Sequence, residues 1–129
     1  MTGELVLVAD DDEDILLLVT TRLQRDGYRV VSASRGDRAL ELAREHRPPL
    51  AVLDVGMPGL DGFEVLAHIR RDESLAGTRV LLLTAKAQES DVRHGYESGA
   101  DAYVKKPFSP AELSTRVRAL LDAGQLGGA

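Results

Sequence analysis

Aspartates and one lysine stand at the ends of four apolar runs in this chain. Asp10, Asp11 and Asp12 follow Leu5-Val6-Leu7-Val8-Ala9, and Asp54 follows Leu50-Ala51-Val52-Leu53. Thr84 follows Val80-Leu81-Leu82-Leu83, and Lys106 follows Ala102-Tyr103-Val104-Lys105. If the four runs are parallel strands of one sheet, their C-terminal ends share one rim, where ligands of open parallel sheets bind. Clustered carboxylates with one ammonium suit a hard cation held beside a phosphoryl group. Asp54 stands alone after its run, and a carboxylate is a competent nucleophile for forming an acyl phosphate.

The elements that must position these groups follow from hydrophobic periodicity. Strands are expected at about 4–9, 28–32, 50–54, 79–83 and 102–105. Helices are expected from Ile15 to about Asp26, from Gly36 to His46, from Asp61 or Gly62 to about Arg71, at about 88–97, and from Ser109 to about Leu121. Gly27, Pro48-Pro49 and Gly99 stop three of them. Ser109-Pro110-Ala111-Glu112 starts the last one, with Ser as N-cap, Pro at the first position and Glu at the third. The second strand alternates more than the others, as an edge strand does. Alternation of this kind means a parallel sheet with helices on both faces. Right-handed crossovers make the flavodoxin-like doubly wound order 2-1-3-4-5 the expected one. The crevice then opens beside strands one and three, at Asp10, Asp11 and Asp54.

Composition narrows the chemistry. The 129 residues are enough for one domain, here 1–123, with 124–129 read as a flexible tail or the start of a linker. With no Cys, disulfides, thiol catalysis and cysteine zinc sites are excluded. No apolar run approaches the ~18 residues of a membrane span. The N-terminus has no basic region before its short apolar run, so a cytoplasmic location is expected. The net charge is −5 and basic residues are scattered, which argues against direct nucleic-acid binding. No G-x-x-x-x-G-K-[ST] occurs, and acids rather than glycines follow the first strand, which excludes a P-loop or dinucleotide site. A metal-dependent phosphatase of similar topology would want an acid two residues after its nucleophile, where Gly56 stands.

Four motifs, in order and each at a strand end, resemble the receiver domains of two-component response regulators, the chemotaxis receiver among them. They are Leu7-Val8-Ala9-Asp10-Asp11-Asp12, Asp54-Val55-Gly56-Met57-Pro58-Gly59-Leu60-Asp61-Gly62, Leu83-Thr84-Ala85, and Gly99-Ala100-Asp101-Ala102-Tyr103-Val104-Lys105-Lys106-Pro107-Phe108. The resemblance covers residues 4–122. It implies a phospho-accepting signalling switch rather than an enzyme, with Asp54 as acceptor. Mg2+, or Mn2+ in its place, would be held by Asp11, Asp54 and the Gly56 backbone carbonyl, with Asp10 acting mostly through a water. Lys106 would pair with Asp54 at rest and with the phosphoryl group afterwards, its bond to Pro107 in cis. The Thr84 hydroxyl and the Ala85 N–H would bind the other phosphoryl oxygens. Tyr103 would be the aromatic that moves inward with Thr84, and so lie outward or mixed at rest. Gly56 and Lys86 would govern the phosphoryl lifetime, and slow self-dephosphorylation is expected from them. The partners implied are a sensor histidine kinase or phosphotransfer protein, and either an output partner or an effector domain outside this chain. The unphosphorylated form is expected to be a monomer.

Other residues have plainer readings. Asp12 and Asp14 are helix caps, and Asp61 is a cap rather than a ligand. Met57-Pro58 and Gly62 shape a loop. Phe63 and Phe108 belong to the core. His46, His68 and His94 are surface residues on helices, none of them a phosphorelay histidine. A degenerate receiver, the same fold used only for binding, is the alternative. The intact set Asp10, Asp11, Asp54, Thr84 and Lys106 argues against it. Receivers of the winged-helix transcription-factor class pair through complementary charges. In that pattern a basic residue precedes the position of Val92, and an acid follows that of Asp101. Here Asp91 and Ala102 occupy those places, opposite Glu112 and Arg116 of the last helix, so that dimer is not expected.

Overall fold

The structure, a computed structural model, describes residues 3–85 and 99–127, with side chains to 123. The helix expected at 88–97, and with it Lys86, Asp91 and His94, lies outside the described residues.

Strands β1 (Leu5–Ala9), β2 (Arg29–Ala33), β3 (Leu50–Asp54), β4 (Arg79–Thr84) and β5 (Ala102–Lys105) form one sheet in the order β2-β1-β3-β4-β5. Every neighbouring pair is parallel. β3 is buried at all its positions, whereas β2, at the edge, keeps Arg29 and Ser32 exposed. Side chains alternate between the two faces. Leu7, Leu53, Leu82 and Tyr103 pack with residues of α2 (Gly36–His46) and α3 (Gly62–Arg71). Val8, Val52, Leu81 and Leu83 pack with residues of α1 (Glu13–Arg25) and of the last helix, α4 (Pro110–Gly127). Each fully buried Leu or Val in these layers contributes about 1.5–3 kcal/mol, so the strands that carry the rim are held from both sides.

Helix starts follow the capping residues. The Asp12 carboxylate accepts from the N–H groups of Asp14 (2.9 Å) and Ile15 (3.2 Å), while Asp14 itself lies in the first turn. Asp61 and Glu64 form a reciprocal capping box, with distances of 2.8 and 3.0 Å. The Ser109 hydroxyl accepts from the Glu112 N–H at 3.0 Å. Each cap contributes roughly 1 kcal/mol, and two of them start helices directly after a rim segment.

Several boundaries and one short element depart from the sequence expectations; α1, for one, begins at Glu13 rather than Ile15. β2 begins and ends one residue later than expected. α4 continues to Gly127 rather than ending at about Leu121, since a glycine in a helix costs about 1 kcal/mol against alanine without ending it. A short 3-10 turn, Glu73–Leu75, follows α3; Asp72 caps it and Leu75 is fully buried.

Candidate functional site

The ends of four strands bring the chemistry together. Asp10 and Asp11 follow β1, Asp54 ends β3, Thr84 ends β4 and Lys106 follows β5. The register places Asp54 beside Leu83 and Thr84 beside Lys105, so these ends are level. Lys105 is exposed, and its neighbour Lys106 turns inward. The Lys106 ammonium donates to Asp10 Oδ2 at 2.8 Å and to Asp54 Oδ1 at 3.2 Å. The Lys106–Pro107 peptide bond is cis.

Asp10 is 1% exposed and Asp54 6%, whereas Asp11 is exposed to solvent. The other Asp10 oxygen accepts from the Asp12 N–H at 2.9 Å. Carboxylate oxygens of Asp10, Asp11 and Asp54 lie within 4.8 Å of one another, and this cluster could hold a divalent metal ion. Three carboxylates against one ammonium leave a formal charge of about −2, which one hard divalent cation with oxygen ligands would match. Burial pushes the Asp54 carboxyl up to about 6, and the Asp10 charge adds to the rise; Lys106 opposes both. Burial works against the Lys106 charge, but its hydrogen bond to Asp10 and the charges of Asp10 and Asp54 outweigh it, so Lys106 titrates above the ordinary lysine value.

Above these groups opens a cavity of about 690 Å³, lined among others by Asp11, Asp54, Gly56, Thr84, Ala85 and Lys106. Thr84 is buried and Ala85 exposed. A Cβ on Gly56 would lie 3.9 Å from Asp54 Oδ2, so this residue flanks the carboxylate with nothing filling the space beside it. Asp61 is the cap of α3, as its sequence context indicates. His46 is exposed on α2 and His68 half-buried on α3.

Two aromatic residues stand differently from the sequence reading. Tyr103, expected outward or mixed, is 8% exposed and packs into the layer between the sheet and α2 and α3. An inward ring removes a large apolar area from water, and this face of β5 is covered although β5 is an edge strand. Phe63, read as core alone, is half-buried against the core and also lines the cavity. Its place directly after Gly62 is the signal that could have found it. A Cβ on Gly62 would lie 2.6 Å from the Asp54 carbonyl oxygen, so the start of α3 runs against the acceptor's own backbone.

A doubly wound parallel sheet with an acidic, lysine-bridged rim at its switch point defines a class of phosphoryl-handling folds. Comparison with known proteins gives the family. Residues 6–118 match the family model of the response regulator receiver domain. The chain is 45% identical over 121 residues to the alkaline phosphatase synthesis transcriptional regulatory protein PhoP of Bacillus subtilis, covering 94% of this chain and 50% of that protein. It is 46% identical over 120 residues to the transcriptional regulatory protein AfsQ1 of Streptomyces coelicolor, covering 93% and 52%. The chain thus spans about half the length of these curated relatives. Among solved structures, chemotaxis protein CheY4 of Vibrio cholerae superposes with a TM-score of 0.86 at 31% identity, covering 92% of this chain and 98% of that one. The BeF3-activated DrrB receiver domain gives 0.83 at 37% identity, covering 93% and 98%. The chain belongs to the receiver-domain family of two-component response regulators. Among the described residues, no helix is long and apolar enough to cross a membrane.

Proposed function

We propose that this receiver accepts a phosphoryl group on Asp54 from the phosphohistidine of a sensor kinase or phosphotransfer protein, with Mg2+ as its cation. The observation that carries the reading is Lys106 held between Asp10 and Asp54, at 2.8 and 3.2 Å, in a rim whose three carboxylates converge. In the transfer, an Asp54 oxygen bonds to phosphorus as the bond from phosphorus to the donor's imidazole nitrogen breaks. That nitrogen keeps the electron pair. Asp11, Asp54 and the Gly56 carbonyl would hold the cation, with Asp10 acting through a water. When bound, the cation supplies neutralisation of the charge that builds on the phosphoryl oxygens. Lys106 neutralises a further oxygen and, released from Asp54, follows the phosphoryl group. The Thr84 hydroxyl and the Ala85 N–H donate to the remaining oxygens.

The acyl phosphate carries about −1.5 to −2 charge where the Asp54 carboxylate carried −1, so the rim gains roughly one negative charge and three phosphoryl oxygens. Thr84 and Lys106 answer that charge, and both line the same cavity as Tyr103. A shift between surface conformations follows from any such difference in contacts. The setting is cytoplasmic. The relatives are transcriptional regulators by name, and transcriptional output is the corresponding reading for this chain.

Beryllofluoride tests the reading. The protein should take up one equivalent only when Mg2+ is present, seen as new amide positions at Asp54, Gly56 and Thr84 in NMR spectra. No uptake at saturating Mg2+ would favour a receiver fold used only for binding.

A further inference from the structure

The loop after Asp54 is tied down at three places. The Val55 N–H donates to the Leu83 carbonyl at 2.9 Å, and the Gly62 N–H to the Val55 carbonyl at 2.9 Å. The third tie comes from another element: the Gly36 N–H, at the start of α2, donates to the Pro58 carbonyl at 3.0 Å. Gly36 is buried, and a Cβ there would overlap the Leu60 carbonyl oxygen and lie 2.5 Å from its carbon. That neighbour is backbone, so it cannot rotate out of the way. Gly59, one residue past the tie, has φ +80, and the Arg35–Asp37 ion pair (3.0 Å) flanks it on the α2 side. Met57 is buried in the core from the same loop. Gly56 therefore sits on a short span, between Val55 bonded to β4 and Pro58 bonded to α2.

We propose that Gly36 is a positioning residue for the acceptor loop: by letting α2 meet the loop backbone directly, it sets the place of the Gly56 carbonyl and so the affinity for the divalent cation. The inference rests on the reading of that carbonyl as a metal ligand. A side chain at position 36 pushes the Pro58–Leu60 backbone outward. The short link to Gly56 passes the displacement to the ligand oxygen. Groups that orient metal ligands from outside typically change affinity by about 10–100-fold when altered. Asp54, Asp11 and Lys106 are carried on other ties and stay in place, so the acceptor itself is preserved.

The test is an NMR titration with Mg2+ alone, following the Val55 and Gly56 amides, on wild type, Gly36→Ala and Gly77→Ala. A Cβ on Gly77 meets no atom within 4 Å, so that variant controls for the glycine-to-alanine change itself. Gly77→Ala should bind Mg2+ as wild type does. Gly36→Ala should bind about tenfold more weakly. Its labelling by acetyl phosphate should be slow at low Mg2+ and approach the wild-type rate at saturating Mg2+. A purely structural role would lower stability without this recovery. A folded Gly36→Ala with wild-type Mg2+ affinity would overturn the inference while leaving the proposed function intact. A wild type that binds no Mg2+ would overturn both. If Gly36→Ala does not fold, the double variant Arg35→Ala, Asp37→Ala removes only exposed side chains that brace Gly59. It should weaken Mg2+ roughly threefold, the scale of one surface ion pair, and unchanged affinity there would count against the inference equally.

Discussion

The Lys106 ammonium lies 2.8 Å from the Asp10 carboxylate, which is almost wholly buried. Asp54 shares the same ammonium at 3.2 Å. The lysine therefore holds two acids together that would otherwise repel. Lys106→Met should destabilise the metal-free protein by about 2 kcal/mol, below the 3–5 of a fully buried pair because Lys106 stays partly exposed. Mg2+ should restore much of that loss and bind more tightly than in wild type, since a competing positive charge is gone. Thermal unfolding with and without Mg2+ measures both effects. Equal loss in the two conditions would mean that the lysine and the cation do not share these carboxylates.

The raised Asp54 carboxyl makes stability depend on pH with a definite sign. Asp54 titrates at about 6 in the fold against 3.8 ordinarily, so the folded protein keeps a proton that the unfolded chain has lost. Its contribution is fully present below about pH 3.8 and is lost as pH rises through about 6. Without divalent ions, Asp54→Asn should therefore be more stable than wild type near neutral pH, by on the order of 1 kcal/mol, and no more stable near about pH 4. Mg2+ affinity runs the other way, falling as pH drops through about 6, because the proton competes with the metal. Asp10→Asn should lower the Asp54 midpoint, since the Asp10 charge helps to raise it. Carboxyl-carbon NMR titration reads these midpoints directly. An Asp54 midpoint unchanged by Asp10→Asn would contradict the assigned cause.

Gly56 leaves the space beside Asp54 Oδ2 without a side chain, its Cβ direction ending 3.9 Å from that oxygen. An amide placed there could orient a water toward the acyl phosphate. Gly56→Asn should shorten the phosphoryl half-life roughly tenfold, less than a full general base would contribute. Lys86→Glu is the matching change two residues after Thr84. Half-lives of both variants equal to wild type would show that neither position controls the lifetime.

Glu112 and Arg116 are exposed on α4, while Ala102 is buried at the start of β5 and offers no acid. Asp91 would bring a like charge to Glu112. Like charges across an interface disfavour that geometry. The beryllofluoride-activated protein should sediment as a monomer. A monomer-to-dimer shift that Arg116→Glu abolishes would show that the missing charges do not matter.

Most of the rim was legible because its signals are local. An acid directly after an apolar run, a Ser-Pro-x-Glu start and an Asp three residues before Glu64 each act within a few residues, and the structure has all of them. What lay hidden depends on chain segments meeting across the fold. Arg70 is an example: it donates to the Thr78 and Gly99 carbonyls and to Asp101 Oδ2, tying α3 to the starts of β4 and β5. No periodicity marks it. Tyr103 was expected outward or mixed from the resemblance alone; its burial comes from packing across the fold that no local signal reports. Gly36 read only as a helix start; its contact with the Leu60 carbonyl needs the third dimension.

Intact mass after incubation with acetyl phosphate and Mg2+ shows whether Asp54 carries the phosphoryl group. Wild type should gain one phosphoryl group with Mg2+ present and none where Mg2+ is removed beforehand. Asp54→Asn, with the fold intact by circular dichroism, should gain none. Equal labelling of wild type and Asp54→Asn would place the acceptor on another residue.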